Sequence, residues 1–276
     1  MSIVEKVVGK ERKSRVGGKR RSSPLRKVSK PVQPIVEPIP EGAVDVLHIS
    51  DRGLATVMED NDLSRSFRFL KRGILAKLFD PANPDSDAGK VVMVTSAMPG
   101  TGKSFLAFNL AASIAREKLI NVILIDGDTV RHNLSTILGI DDCQGLIEIL
   151  MNHEIDSRIL DTTLPGLRFI PSGLDSESAT ELLASEDMAD ILAALSDKNT
   201  VVVLDTTPLL VSCEADAMSA HVDHTVIAVE AGVTTAEEID AMLQMLKKSG
   251  SSVSFIMNKL RSLSKSGVPD HYKFPY

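Results

Sequence analysis

The sequence predicts an α/β protein with a doubly wound, mostly parallel sheet. From Lys90 onward, short and nearly unbroken apolar runs recur, and amphipathic stretches of helix length lie between them. Strands buried on both faces read as continuous apolar runs, and parallel neighbours need a crossover long enough to hold a helix. A glycine-rich turn follows the first of these runs directly. In such sheets ligands bind beyond the carboxyl ends of the strands, so that turn marks the site edge.

The chain has 276 residues, 43% of them hydrophobic and 25% charged. That is one ample domain with appendages. Residues 1–45 read as a disordered tail. Residues 1–30 hold 11 Lys and Arg against 2 acidic residues, a balance of +9, while the remainder carries −15. Pro31, Pro34, Pro38 and Pro40 follow the basic tract and favour extended chain. A basic tail on an acidic body is an interaction feature. It reads either as a solubilising segment or as an anchor to an anionic membrane surface or acidic partner. No aromatic residues interleave with the charges, so nucleic acid is not expected.

Residues 46–87 predict a helix and a linker. Leu63, Phe67, Leu70, Ile74 and Leu75 share a face at helical spacing within 55–78, with Arg65, Arg68, Lys71 and Arg72 elsewhere. Pro81 and Pro84 then open a turn-rich link. The domain proper spans 88–260. Its predicted strands are Val91–Thr95, Asn121–Ile125, Leu167–Ile170, Val201–Leu204, Thr225–Val229 and Val253–Met257. Its predicted helices are Ser104–Glu117, Ser176–Leu195 and Thr235–Lys248, the last opened by a Thr235–Glu238 capping box and stopped at Gly250. No apolar run approaches the roughly 20 residues that span a bilayer, and no apolar segment follows the basic N-terminus as in a secretory leader. Two cysteines, Cys143 and Cys213, fit a reducing compartment. Asp141 and Asp142 beside Cys143 argue against a reactive thiolate there, and His221 with His224 lacks the further ligands of a metal site.

The turn after the first strand reads Ala97-Met-Pro-Gly100-Thr101-Gly102-Lys103-Ser104, a P-loop with alanine in place of its first glycine. Gly100 and Gly102 let backbone N–H groups point inward at phosphate oxygens. Lys103 reaches the β- and γ-phosphates, the Ser104 hydroxyl is a hard oxygen ligand for Mg²⁺, and the following helix aims its positive end at the same place. The nucleotide-binding set therefore runs Gly100, Thr101, Gly102, Lys103, Ser104 and Phe105. Two strands end in acid: Asp126-Gly-Asp128 and Asp205-Thr-Thr-Pro208. Asp205 suits a Mg²⁺ partner; Asp126 suits the metal shell or, with Asp128, proton acceptance from a nucleophile, although an aspartate capping the next helix fits each position, Asp128 most readily. Asn258, after the last strand, has the donor and acceptor that an adenine edge requires, although a turn-forming asparagine fits the same position. Both tyrosines of the chain, Tyr272 and Tyr276, fall in its last five residues, on a polar segment 261–276 that reads as flexible.

These residues resemble the bacterial tyrosine kinases (BY-kinases) of exopolysaccharide and capsule export, and most closely the autokinases of exosortase-linked polysaccharide loci. Thr95–Ser104 resembles their Walker A loop, Ile123–Asp128 with Arg131 their Walker A′ motif, and Val203–Leu210 their Walker B motif. Thr180–Ser185, Ile256–Lys259 and a tyrosine-bearing C-terminus add to the likeness, which covers about 64–276. The chain departs from the pattern at Thr101, at His132, and in Asp62-x-x-Arg65-x-x-Arg68, where a glutamate opens the ring-forming motif. The resemblance implies Mg²⁺-dependent autophosphorylation by ATP between subunits of a ring. Catalytic roles would fall on Lys103, Asp126, Asp128 and Asp205, metal ligation on Ser104, Asp126 and Asp205, and phosphate acceptance on Tyr272 and Tyr276. It also implies activation by the cytoplasmic segment of a membrane polysaccharide co-polymerase, and a place at the inner face of the plasma membrane. The competing reading is a partition or septum-site ATPase switch without kinase activity. The lysine such switches carry early in the P-loop would fall at Met98.

Overall fold

The computed structural model describes residues 42–46, 62–80, 90–174 and 176–260. The tail up to residue 41 and the tyrosine segment 261–276 lie outside the described residues. The elements in chain order are α1 (Asp62–Leu78), β1 (Lys90–Ser96), α2 (Lys103–Ala115), β2 (Asn121–Gly127), α3 (Asn133–Leu138) and α4 (Leu146–Asn152). A 3₁₀ turn (Asp156–Arg158) leads to β3 (Leu160–Asp161) and β4 (Leu167–Ile170). Then come α5 (Ala179–Leu183), α6 (Glu186–Leu195), β5 (Thr200–Thr206), α7 (Cys213–Ser219), β6 (His224–Glu230), α8 (Ala236–Leu246) and β7 (Ser252–Asn258).

The strands form one sheet in the order β3-β4-β2-β5-β1-β6-β7. All neighbours are parallel except the β3–β4 pair. Strand alternation splits the core in two. Val92, Val94, Val122, Leu124, Val201 and Val203 pack with α1, α2 and α3. Val91, Met93, Ile123, Ile125, Val202 and Leu204 pack with α4 to α8 on the other face. That is the doubly wound arrangement, with β5 returning between β1 and β2.

The helix α2 is buried along nearly its whole length, from Lys103 to Ala115. It lies between the sheet and α1, which covers its outer side. Phe67 and Phe105 meet edge to face with ring centroids 6.1 Å apart. Phe67, Ile74 and Leu78 of α1 are buried. Lys71, expected off the apolar face, is also turned inward, with Nζ 2.6 Å from Glu117 Oε1. Lysine stems cover apolar surface well, and the pair keeps the ammonium satisfied. Residues 42–46 reach the other sheet edge. Val44 N donates to Asp161 O and Thr163 N to Val44 O, both at 2.9 Å, and Val44 and Val46 are buried. These packed residues straddle the boundary expected at 45.

Candidate nucleotide and phosphoryl-transfer site

The strand order sets the geometry of the site. Since β5 lies between β1 and β2, its terminal Asp205 sits between the P-loop and the end of β2. The register pairs Asp205 with Val94 of β1 on one side and with Asp126 of β2 on the other. Gly127 permits this approach: a Cβ there would stand 2.8 Å from the Asp205 carbonyl oxygen.

The P-loop is held from within. Ser96 Oγ and Thr101 Oγ1 both donate to Met98 O at 2.8 Å. Thr101 thus uses its side chain inside the loop. Asn258 Nδ2 donates to Thr101 O at 2.8 Å, tying the end of β7 to the loop. Gly102 lies between them at φ 94°, where an added Cβ would collide with the Asn258 amide. Lys103 is buried at the first turn of α2. The Phe105 ring faces α1, so its contribution at this end is a first-turn backbone N–H.

The acidic residues differ in how they are held. Asp126 is fully buried and engaged: its Oδ2 accepts from Ser135 N at 2.9 Å and Ser135 Oγ at 2.8 Å, and Oδ1 from Asp128 N at 3.2 Å. Asp128 is buried too, accepting from Arg131 N at 3.1 Å and Asn133 Nδ2 at 3.3 Å. Asp205 is equally buried, but neither oxygen has a hydrogen-bond partner among the described residues. Burial pushes both strand-end carboxyls upward, Asp126 to about 6 and Asp205 to about 8. At Asp126 the Ser135 donors oppose the rise. At Asp205 the Asp126 carboxylate adds to it, while Lys103 and the nearby Ser104 hydroxyl oppose it without completing a hydrogen bond. A buried carboxylate without donors, beside a hydroxyl at the head of a phosphate loop, fits the hard-oxygen preference of Mg²⁺.

A family model described as an AAA domain matches residues 89–259. The tyrosine-protein kinase CpsD of Streptococcus pneumoniae is 31% identical over 189 residues, covering 66% of this chain and 82% of that one. The chain belongs to the AAA domain family and, within it, to the bacterial tyrosine-protein kinases. The tyrosine-protein kinase wzc of Salmonella typhimurium is 29% identical over 187 residues, 67% of this chain and 26% of that protein, so the chain spans about a quarter of that relative's length. The solved kinase domain of the Escherichia coli tyrosine kinase ETK matches with a TM-score of 0.64 at 25% identity, over 77% of this chain and 80% of that one. The P-loop fold of this kinase family implies nucleotide binding. No helix among the described residues is long and apolar enough to cross a membrane.

Beside the P-loop opens a cleft of about 350 Å³ lined by Pro99, Asp128, Arg131, Thr207, Val211 and Cys213, among others. The loops after β2 and β5 form its sides, and Thr129 Oγ1, which donates to Glu214 Oε1 at 3.1 Å, ties the loop after β2 to the first turn of α7. Of the residues named from sequence, Lys103, Ser104, Asp126, Asp128 and Asp205 come together where β1, β2 and β5 end. Ser135, Thr129 and Thr207 are not singled out by sequence. Ser135 follows Asp126 by nine residues on a helix too short to show a period, so no sequence spacing singles it out. Tyr272 and Tyr276 lie outside the described residues.

Proposed function

We propose that this chain is an ATP-dependent protein-tyrosine kinase that phosphorylates its own C-terminal tyrosines, Tyr272 and Tyr276, between subunits of an oligomer. The observation that carries the reading is the buried, donor-free Asp205 carboxylate beside Ser104 and Lys103. The kinase names of the relatives and the tyrosines reserved for the tail support it.

Bound ATP supplies the transferable phosphoryl group, and Mg²⁺ neutralises charge on its oxygens. Ser104 and Asp205 would hold the metal, with Asp126 shaping the shell. The P-loop N–H groups and Lys103 would cradle the phosphates, and the Asn258 amide oxygen would meet a purine amino group. Asp126 already accepts three hydrogen bonds and is not among the residues that line the cleft. Asp128 lines the open cleft and is the better placed carboxylate to take the acceptor's proton. Incubation with labelled ATP and Mg²⁺ followed by phosphopeptide mapping tests the reading directly: label on the tail tyrosines is expected.

The implied setting is polysaccharide production, with a membrane activator's cytoplasmic segment as partner and the basic tail as a contact to anionic lipid. Each Lys or Arg near such a surface contributes about 1 kcal/mol, screened by salt. Deleting residues 1–30 should therefore reduce co-sedimentation with vesicles rich in anionic lipid at low salt. Equal sedimentation of truncated and full chains would remove lipid contact from the account.

A further inference from the structure

Near the ends of β1 and β5 lies another buried oxygen without a partner among the described residues. Thr207 is almost fully buried, and its Oγ1 has no hydrogen-bond partner there. Its backbone is fixed: the Thr207 carbonyl accepts from Thr95 Oγ1 at 2.9 Å and from Thr206 Oγ1 at 3.2 Å. Pro208 follows with φ locked, and Leu209 N donates to Ser96 O at 2.8 Å. The residue is thus clamped by its main chain while its hydroxyl is unengaged. A buried hydroxyl left so is costly, and a partner arriving from outside relieves that cost.

The same residue lines the cleft beside the P-loop, together with Asp128 and Pro99. Val130 and Val211 stand at the cleft and are 65% and 54% exposed. Beside Thr207 and Asp128 the lining carries Arg131, Ser212 and Glu214, and with the exposed valines as an apolar rim the cleft suits an aromatic ring that carries a hydroxyl. A phenol oxygen has one proton and two lone pairs. In transfer, one lone pair forms the new bond to the γ-phosphorus as the bond to the bridging oxygen breaks and its electron pair leaves with ADP. The phenol proton passes to a carboxylate, here Asp128. The second lone pair is free to accept from a donor that fixes the ring's position.

We propose that Thr207 supplies that donor, and so positions the hydroxyl of the acceptor tyrosine in the Pro99–Val211 cleft. The assignment rests on the kinase reading above and goes beyond it by naming an acceptor-binding residue.

The test uses full-length enzyme carrying Tyr272→Phe and Tyr276→Phe, so that its own tail accepts nothing. The acceptor is the full-length Lys103→Met chain, whose tyrosines are intact, and its concentration is varied at saturating Mg-ATP. Adding Thr207→Val to the enzyme, which keeps the shape and removes the hydroxyl, should lower kcat/KM for the acceptor about tenfold. KM for ATP and the half-saturating Mg²⁺ concentration should stay within about twofold, and Thr207→Ser should restore most of the loss. Equal kcat/KM with and without the hydroxyl overturns the assignment. So does a loss in ATP or Mg²⁺ affinity, which would place the hydroxyl in the metal's water shell, or an equal loss in Thr207→Ser, which would make the effect one of packing. If wild-type chain incorporates no phosphate on tyrosine at all, the kinase reading fails instead.

Discussion

Lys103→Met should reduce phosphate transfer to background, a fall of about 10²–10³-fold or more, with the fold intact. The residue opens α2 at the P-loop and is buried next to Asp205. A fixed ammonium in a water-poor site stabilises the charge that develops on a transferring phosphoryl group far more than it would in water. Methionine matches the stem in length and helix propensity and removes only the charge. The helix itself is secured by Leu106, Phe108, Leu110 and Ile114, all buried, so the melting temperature should change little. Initial rates of label incorporation, with circular dichroism melts of both proteins, check this. An unchanged rate would take the P-loop out of the mechanism.

Asp205→Asn should lower the transfer rate about 10²-fold or more, and it should change the pH dependence of stability in a defined direction. Burial raises the folded-state pKa of Asp205 to about 8 and of Asp126 to about 6, above their ordinary value of 3.8. Between that value and the raised ones the native chain holds protons that the unfolded chain has lost. Stability of the nucleotide-free protein therefore falls as pH rises through that window. Asparagine cannot ionise and relieves the like charge on Asp126. The variant should consequently melt higher than wild type at pH 8, by several degrees, and differ little near pH 4. Mg-ATP should raise the wild-type midpoint at pH 8 more than the variant's, because only wild type offers a free carboxylate to the metal. Superimposable Mg²⁺ titrations of rate for the two proteins would count against the assignment.

The central strands were legible because each is an apolar run long enough to stand out. Asn121–Ile125 and Leu167–Ile170 need no context to be read as strands, and the structure extends the first to Gly127 and keeps the second unchanged. The elements not read from sequence are short. Helices α3, α4 and α7 have six or seven residues, under two turns, and cannot display a helical period; β3 has two residues and exists only by pairing with β4. The expected helix Ser176–Leu195 is broken at Ser185, whose backbone is extended (φ −73°, ψ 162°) just before Glu186 and Asp187. Serine followed by acids is a helix start, and the surrounding apolar residues hid it. In the site, glycines, lysine and strand-end acids declare themselves by type and position. What separates Asp126 from Asp205 does not: the two look alike in sequence, and the placement of Ser135 and of the Asp128 N–H leaves one satisfied while the other has no donor among the described residues.

In the proposed reaction the acceptor is a tyrosine of this chain and not water. Tyr272 and Tyr276 are its only phenols, and replacing both by phenylalanine keeps the rings while removing the hydroxyls. The direct measurement is mass-spectrometric mapping of phosphate after incubation with Mg-ATP, on wild type and on the Tyr272→Phe, Tyr276→Phe chain, each with and without anionic membranes bearing an activator. The account predicts phosphate on one or both tyrosines of wild type, and none on the double variant with ATP affinity nearly unchanged. ATP hydrolysis by wild type with no phosphate on either tyrosine would contradict it and make the chain a nucleotide switch on the same fold.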